Sequence, residues 1–311
     1  MRIADLPWYD LDELVPATDA WWRGIAGHLR QLGVDRVPDA LQRGGSHTQR
    51  WQHPELLMSQ ACGYDVLYDS VDDLVPIATP CYAAEGNEGP RYRSIVVVRG
   101  DRPFCKLADL RGGRAAINEA ASHSGNNALR SLVAPLSREG RFFSAVLETG
   151  SHTDSLAAVR SGEVDVAAID TIVLALLRRR RPEAVRGLRP IGCSAPALAP
   201  PYVTSTRTPT ELRAVLQAAL RAALHDPVLA PARAALLLQD LVCLPAASYA
   251  ELEDFEEPAL AAGYFELPAP SRSPLARARS TITPRGACGG RPAEIPEGIP
   301  AGIPAERAAG A

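Results

Sequence analysis

Between Leu107 and Ser194 the apolar positions keep a repeating rhythm. Short β-branched or alanine-rich runs alternate with stretches of helical period. Residues 114–118 read as a strand. Residues 126–136 read as a helix, with Leu129, Leu132, Val133 and Leu136 at i, i+3, i+4 and i+7. A strand at Ala145–Glu148, a helix at 153–160 stopped by Gly162, and a strand at 164–169 follow. A helix at Thr171–Arg180, ended by Pro182, and a strand at 188–194 complete the series. Alternation of this kind predicts a parallel sheet with helices on both faces.

The flanking segments are less regular. A first strand is expected at 2–8. The helix after it takes Thr18 as N-cap and places Trp22, Ile25, Ala26 and Leu29 on one face. Strands follow at 55–60, at 74–79 and at Ser94–Arg99, the last a continuous β-branched run suited to burial on both faces. A Pro-rich linker at 195–201 precedes a helix opened by Thr208-Pro209-Thr210-Glu211, read as a capping box. More helix is expected to about residue 262, so the last third reads as sheet-poor. The stretch 269–311 is rich in Pro, Gly, Ala and Arg without an apolar period, and is expected to be a disordered tail.

Composition narrows the function classes. A net charge of −3 argues against a strongly basic nucleic-acid binder. No run of about 18 apolar residues predicts a transmembrane helix or stable membrane insertion. The start, MRIADLPWYD, has no basic and apolar leader pattern, so the sequence as written reads as cytoplasmic unless an export signal precedes it. Six cysteines stand singly, without metal-ligand spacing; Cys62 and Cys81 are near enough in sequence to pair in an oxidising compartment. No cofactor is expected, and no nucleophile–base–orienter set, GxSxG, HExxH or Walker A pattern is present.

The candidate chemistry lies in two turns. Ser122-His123-Ser124-Gly125, followed by Asn126, and Gly150-Ser151-His152-Thr153 each follow a strand and open a helix. Helix N-termini carry free N–H donors and partial positive charge, so hydroxyls and imidazoles placed there suit a small anion. Ser122 and Ser124 are candidate donors, and Gly125 would admit close backbone approach; either serine is also a natural helix cap. His152 is a donor candidate or the start of its own helix. Asp170 ends a strand where α/β sheets place ligand contacts, or else caps the helix at Thr171. As a ligand contact it would accept from an O–H or ammonium group and repel a fully deprotonated oxyanion. Tyr64, Tyr92 and Tyr202 are aromatic candidates, with Ser59 and Gln60 at a strand end. Arg178, Arg179, Arg180 and Arg181 read as a solvated helix end.

Four patterns in order carry a family resemblance: SQACGYDVL, TPCYAAEGNEGPRYRSIVVVRGD, LADLRGGRAAINEAASHSGNNAL and TGSHTDSLAAVRSGEVDVAAID. Together they resemble the phosphate, phosphite and phosphonate substrate-binding proteins of ABC transporters. The resemblance implies an α/β type II periplasmic binding fold with two Rossmann-like lobes and a hinged cleft between them. Lobe one would comprise about 1–100 and a mostly helical return at 200–268, and lobe two 101–199. By resemblance, Ser122 and Ser124 match the family's phosphonate-contacting Ser-x-Ser, with His123 where relatives often carry Thr. The implied partners are a small anionic ligand and, if the protein is exported to the periplasm or cell surface, a transporter permease; a monomer is expected. Two other readings of the same fold are a cytoplasmic metabolite sensor and an enzyme acting on a pyrimidine or thiamine precursor, with His152 or Cys62 as the reactive group.

Overall fold

The structure, a computed structural model, describes residues 2–70, 72–269 and 271–272. The chain opens with β1 (Ile3–Ala4), the long helix α1 (Val15–Gln31), α2 (His47–Trp51), β2 (Leu56–Gln60) and β3 (Leu74–Tyr82). A short strand β4 (Arg91–Tyr92) leads into β5 (Ser94–Arg99). The rhythmic stretch gives β6 (Arg114–Ile117), α3 (Ala128–Val133), β7 (Ala145–Glu148), α4 (His152–Ser161), β8 (Val166–Asp170), α5 (Thr171–Arg180) and β9 (Leu188–Cys193). The chain returns through β10 (Ala197–Leu198), β11 (Tyr202–Ser205), α6 (Thr210–His225), α7 (Ala230–Ala235) and β12 (Leu238–Val242). It ends in a 3-10 segment (Ala246–Phe255), α8 (Glu257–Ala261) and β13 (Ser271–Arg272).

Two sheets result. The first has the order β1-β2-β11-β3-β12 and the second β13-β7-β6-β8-β5-β9. Only part of the second sheet is parallel. β6 pairs in parallel with β7 and β8, as βαβ units require. β5 runs antiparallel to both β8 and β9 because the chain enters this lobe along it from the first lobe and leaves along β9. Successive side chains alternate between faces. Ala116, Ala167 and Ile169 join the core shared with α4 and α5, while Ala115, Ile117, Val166 and Ala168 pack under α3. Helices thus cover both faces of the second sheet.

The two lobes are joined by a ribbon. β4 and β10 pair antiparallel, Tyr92 opposite Ala197 and Arg91 opposite Leu198. Glu251 fastens both strands: Arg91 donates to its two carboxylate oxygens at 2.8 and 2.6 Å, and the Leu198 N–H donates to Oε1 at 3.0 Å.

Several sequence expectations need correction. The first strand is only two residues long, because the chain turns away at Pro7 toward the interlobe cleft. Thr18 lies inside α1, where its hydroxyl donates back to the Leu14 carbonyl, and so it caps nothing. The capping box at Thr208 is also absent: Pro209 takes the N-cap position, and the Thr208 hydroxyl pairs with Thr204 instead. The last third is not sheet-poor. β11 lies in the middle of the first sheet and β12 at its edge, each too short to show alternation against its surroundings. The return at 200–268 also does not stay with the first lobe. Ala259 and Tyr264 are buried with Leu110, Phe142 and Phe143 beneath the second sheet. Of the expected tail, Ser271–Arg272 extend the second sheet beside β7, and 270 and 273–311 lie outside the described residues. Cys62 and Cys81 are both free thiols.

Candidate functional site

The parallel strands β6, β7 and β8 end side by side, and each is followed by a helix that starts at the same boundary. The first of these helices begins with a π turn, His123–Asn127, before α3. Ser122 caps it, its Oγ accepting the Gly125 N–H at 3.1 Å. Ser151 caps α4, accepting the Asp154 N–H at 3.0 Å. Asp170 caps α5, its Oδ1 accepting the N–H groups of Ile172 at 2.6 Å and Val173 at 3.3 Å. Three helix N-termini therefore aim their positive ends at one place.

That place is a cleft of about 370 Å³ between the two sheets, within the range of small-molecule sites. From the second lobe, Asn118, Ser122, Ser124, Ser151, His152 and Asp170 line it. Trp8, Tyr9, Asp10 and Cys62 close it from the first lobe, and Tyr92 from the ribbon. The two candidate turns meet directly: Ser124 Oγ lies 2.8 Å from His152 Nε2 and 3.5 Å from Ser122 Oγ.

Burial sets the protonation of these groups. His152 is pushed down to about 4 by desolvation, against the Ala168 carbonyl, so its ring is neutral at pH 7. His123 is held at about 4 by the same cause. Asp170 is pushed up to about 7 by burial, opposed by hydrogen bonds from Tyr9, Ile172 and Val173. Burial pushes the Cys62 thiol up to about 12, so it carries no thiolate at neutral pH. A Cys62 nucleophile does not fit this environment.

The cleft gathers only some of the sequence candidates. Ser122, Ser124, His152, Asp170, Tyr92 and Cys62 line it; Ser59, Gln60, Tyr64, His123, Gly125, Asn126 and Tyr202 do not. His123 turns away and packs edge-on against Phe255, ring centroids 4.6 Å apart. Gly125 makes room for a neighbour rather than for a ligand, since a Cβ there would collide with the Asn118 side chain. Asn126 donates to the Ala120 carbonyl at 2.6 Å, outside the cleft. The Tyr64 hydroxyl donates to Glu256 at 2.5 Å. Tyr202 accepts from the Trp21 indole at 3.0 Å within the first lobe. Ser59 accepts from the Trp51 indole at 3.1 Å, and Gln60 is buried beside Tyr82 and Tyr202. Asn126 and Ser59 are held by near neighbours, whereas Tyr64, Tyr202 and His123 meet partners far along the chain, which sequence adjacency to the turns could not reveal.

Sequence reasoning missed most of the first-lobe wall. Trp8, Tyr9 and Asp10 fall in the segment read as a strand and its turn, where no periodicity marks them. Asn118 was seen only as the end of a strand; its Oδ1 is buried without a hydrogen-bond partner among the described residues. The arginine run is not simply solvated: Arg181 lines the cleft and grips Glu13 of the first lobe through contacts of 2.5 and 2.8 Å.

Comparison with known proteins bears on the fold and the family. A family model described as ABC transporter, phosphonate, periplasmic substrate-binding protein matches residues 52–241. No curated protein sequence matches the chain. Among solved structures, the fold resembles the binding component of an ABC phosphonate transporter from Pseudomonas aeruginosa (TM-score 0.69, 15% identity, 84% of this chain and 89% of that one). It also resembles PhnD1 of Prochlorococcus marinus in complex with methylphosphonate (TM-score 0.66, 12% identity, 83% and 97%). A Xanthomonas citri protein bound to ATP is similar as well (TM-score 0.64, 17% identity, 84% and 98%). With the family model covering well over half of its length, this two-lobed chain belongs to the phosphonate family of periplasmic substrate-binding proteins of ABC transporters.

Proposed function

We propose that the protein captures a small oxyanion of the phosphate, phosphite or phosphonate type in the interlobe cleft and delivers it to a transporter permease. The observation that carries this reading is the 2.8 Å approach of Ser124 to His152 at the focus of three helix N-termini. The Ser122 and Ser124 hydroxyls and the backbone N–H groups of the helix starts supply donors, and the helix ends supply positive potential beside Arg181, whose charge on the cleft wall is paired with Glu13. Neutral donors suit a ligand that must be released again, because they hold an anion without the deep trap of a buried ion pair. Tyr92, Trp8 and Tyr9 offer apolar faces to a short carbon substituent.

Binding is the whole task in this reading. Burial keeps the Cys62 thiol protonated, and among the described residues no carboxylate bonds His152 to orient it toward Ser124. The test is isothermal calorimetry with phosphate, phosphite and methylphosphonate. One-to-one binding of at least one of them is expected. No binding of any of the three at millimolar concentration removes this reading.

A further inference from the structure

The carboxylate at the end of β8 has little left to offer a ligand. Oδ1 of Asp170 is occupied by the two N–H groups of its own helix cap. Oδ2 accepts the Tyr9 hydroxyl at 2.8 Å. Tyr9 comes from the opposite lobe, 161 residues earlier in the chain. Its ring is seated edge-on against Tyr82 of β3, centroids 5.1 Å apart. Its backbone has φ of 65°, in the left-handed region that side chains of this size seldom adopt. Both residues are buried, and both line the cleft. A disfavoured backbone persists only where its surroundings over-determine it, and such positions concentrate at binding sites.

We propose that Tyr9 is a specificity-determining residue: from the opposite lobe, its hydroxyl takes the place on Asp170 that an ammonium or hydroxyl group of a ligand would otherwise take. The oxyanion is then held by the serines and His152. A substituent on it reaches the Tyr9 phenol before it reaches the carboxylate. The cleft discriminates against ligands whose donor must reach Asp170 and tolerates those whose substituent is bare or alkyl. The bond also ties one lobe to the other, so it favours the closed form with no ligand inside. The ligand side of this inference rests on the oxyanion reading of the cleft; the interlobe tie does not.

The experiment compares the full-length protein with Tyr9→Phe, which keeps the ring and removes the hydroxyl. Ethylphosphonate and 2-aminoethylphosphonate are titrated by calorimetry, and the ratio of their affinities is read. The ratio is expected to move toward the amino compound by about tenfold or more, the worth of one hydrogen bond to a charged group. An unchanged ratio overturns the proposal. Asp170→Asn is the second variant and decides the matter if Tyr9→Phe does not fold. With Tyr9 in place it should leave the ratio within about threefold, and a selective tenfold loss of the amino compound would show that ligands do reach Asp170. X-ray scattering of the ligand-free proteins reads the tie itself. Tyr9→Phe should enlarge the radius of gyration, and equal radii overturn the closure claim. If neither phosphonate binds either protein, the ligand side of the proposal falls; phosphate and phosphite titrations then judge the oxyanion reading, and scattering alone judges the tie.

Discussion

Ser124 and His152 are 28 positions apart in sequence and share a hydrogen bond at the mouth of two helices. A donor aimed at an anion is worth more than one between neutral groups. Ser124→Ala is therefore expected to weaken oxyanion affinity by about tenfold to a hundredfold in calorimetry, with the unfolding midpoint little changed. Gly125→Ala is expected to weaken it as well, by driving the new Cβ into Asn118 and displacing the loop; a crystal structure of the variant would show the shift. His123 makes a pH prediction. Its folded value, near 4, lies below the ordinary 6.5. Its contribution to stability is thus complete above about pH 6.5 and lost as pH falls toward 4, at up to about 1.4 kcal/mol per pH unit. Asp170 has the opposite sign: its folded value of about 7 lies above 3.8, so its contribution is complete below about pH 4 and is lost as pH rises toward 7. Denaturant unfolding across pH 4–7 should show a flatter acid limb for His123→Gln than for the parent. At this scale the sequence revealed residue types at helix starts but not their directions. Neighbouring Ser122, His123 and Ser124 look alike in sequence, yet only the two serines line the cleft, because a π turn rotates the residue between them toward Phe255.

At the scale of elements, caps and ribbons position the site. Asp170 both caps α5 and receives Tyr9. Replacing it with Ala should cost about 1 kcal/mol for the cap alone and more for the stranded Tyr9 hydroxyl, measured by urea unfolding. Glu251 serves the ribbon. Its partners are partly exposed, so Glu251→Ala is expected to cost only about 1 kcal/mol. Its larger effect should be on ligand release, read as a changed dissociation rate in stopped-flow, since the variant frees the two strands that any interlobe rotation must bend. Elements were legible where period and punctuation agreed. The stretch from β6 to α5 was read within a residue or two at most ends, because each helix carries its own cap and each strand its own turn. β11 and β12 escaped notice: four or five residues cannot display a period, and only the neighbouring β2 and β3 make them strands.

For the molecule as a whole, binding at the interlobe boundary stabilises the folded form by mass action. A ligand at a hundred times its Kd should add about 2.7 kcal/mol to stability, visible as a rise in melting temperature that grows with ligand concentration. The segment after β12 adds a further link between the lobes. Tyr249 bonds Thr79 of the first sheet at 2.7 Å, Phe255 packs on His123, and Tyr264 is buried under the second sheet. Among the described residues the chain thus crosses between the lobes three times, whereas the lobe division implied by the resemblance, 1–100 and 200–268 around 101–199, has two crossings.

The sequence by itself determined the local grammar: a βαβα lobe, helix starts rich in hydroxyl and imidazole groups, and a family resemblance resting on four ordered patterns. Those features depend on residues close together in the chain, so period and capping chemistry record them. Only the tertiary structure decided which of these groups share a cleft, that Asp170 meets Tyr9 rather than standing open, and that the closing segment spans both lobes. The pairings between the lobes, such as Tyr9 with Asp170, join residues more than a hundred positions apart, and they arise from packing two sheets against a common boundary, which no local pattern encodes.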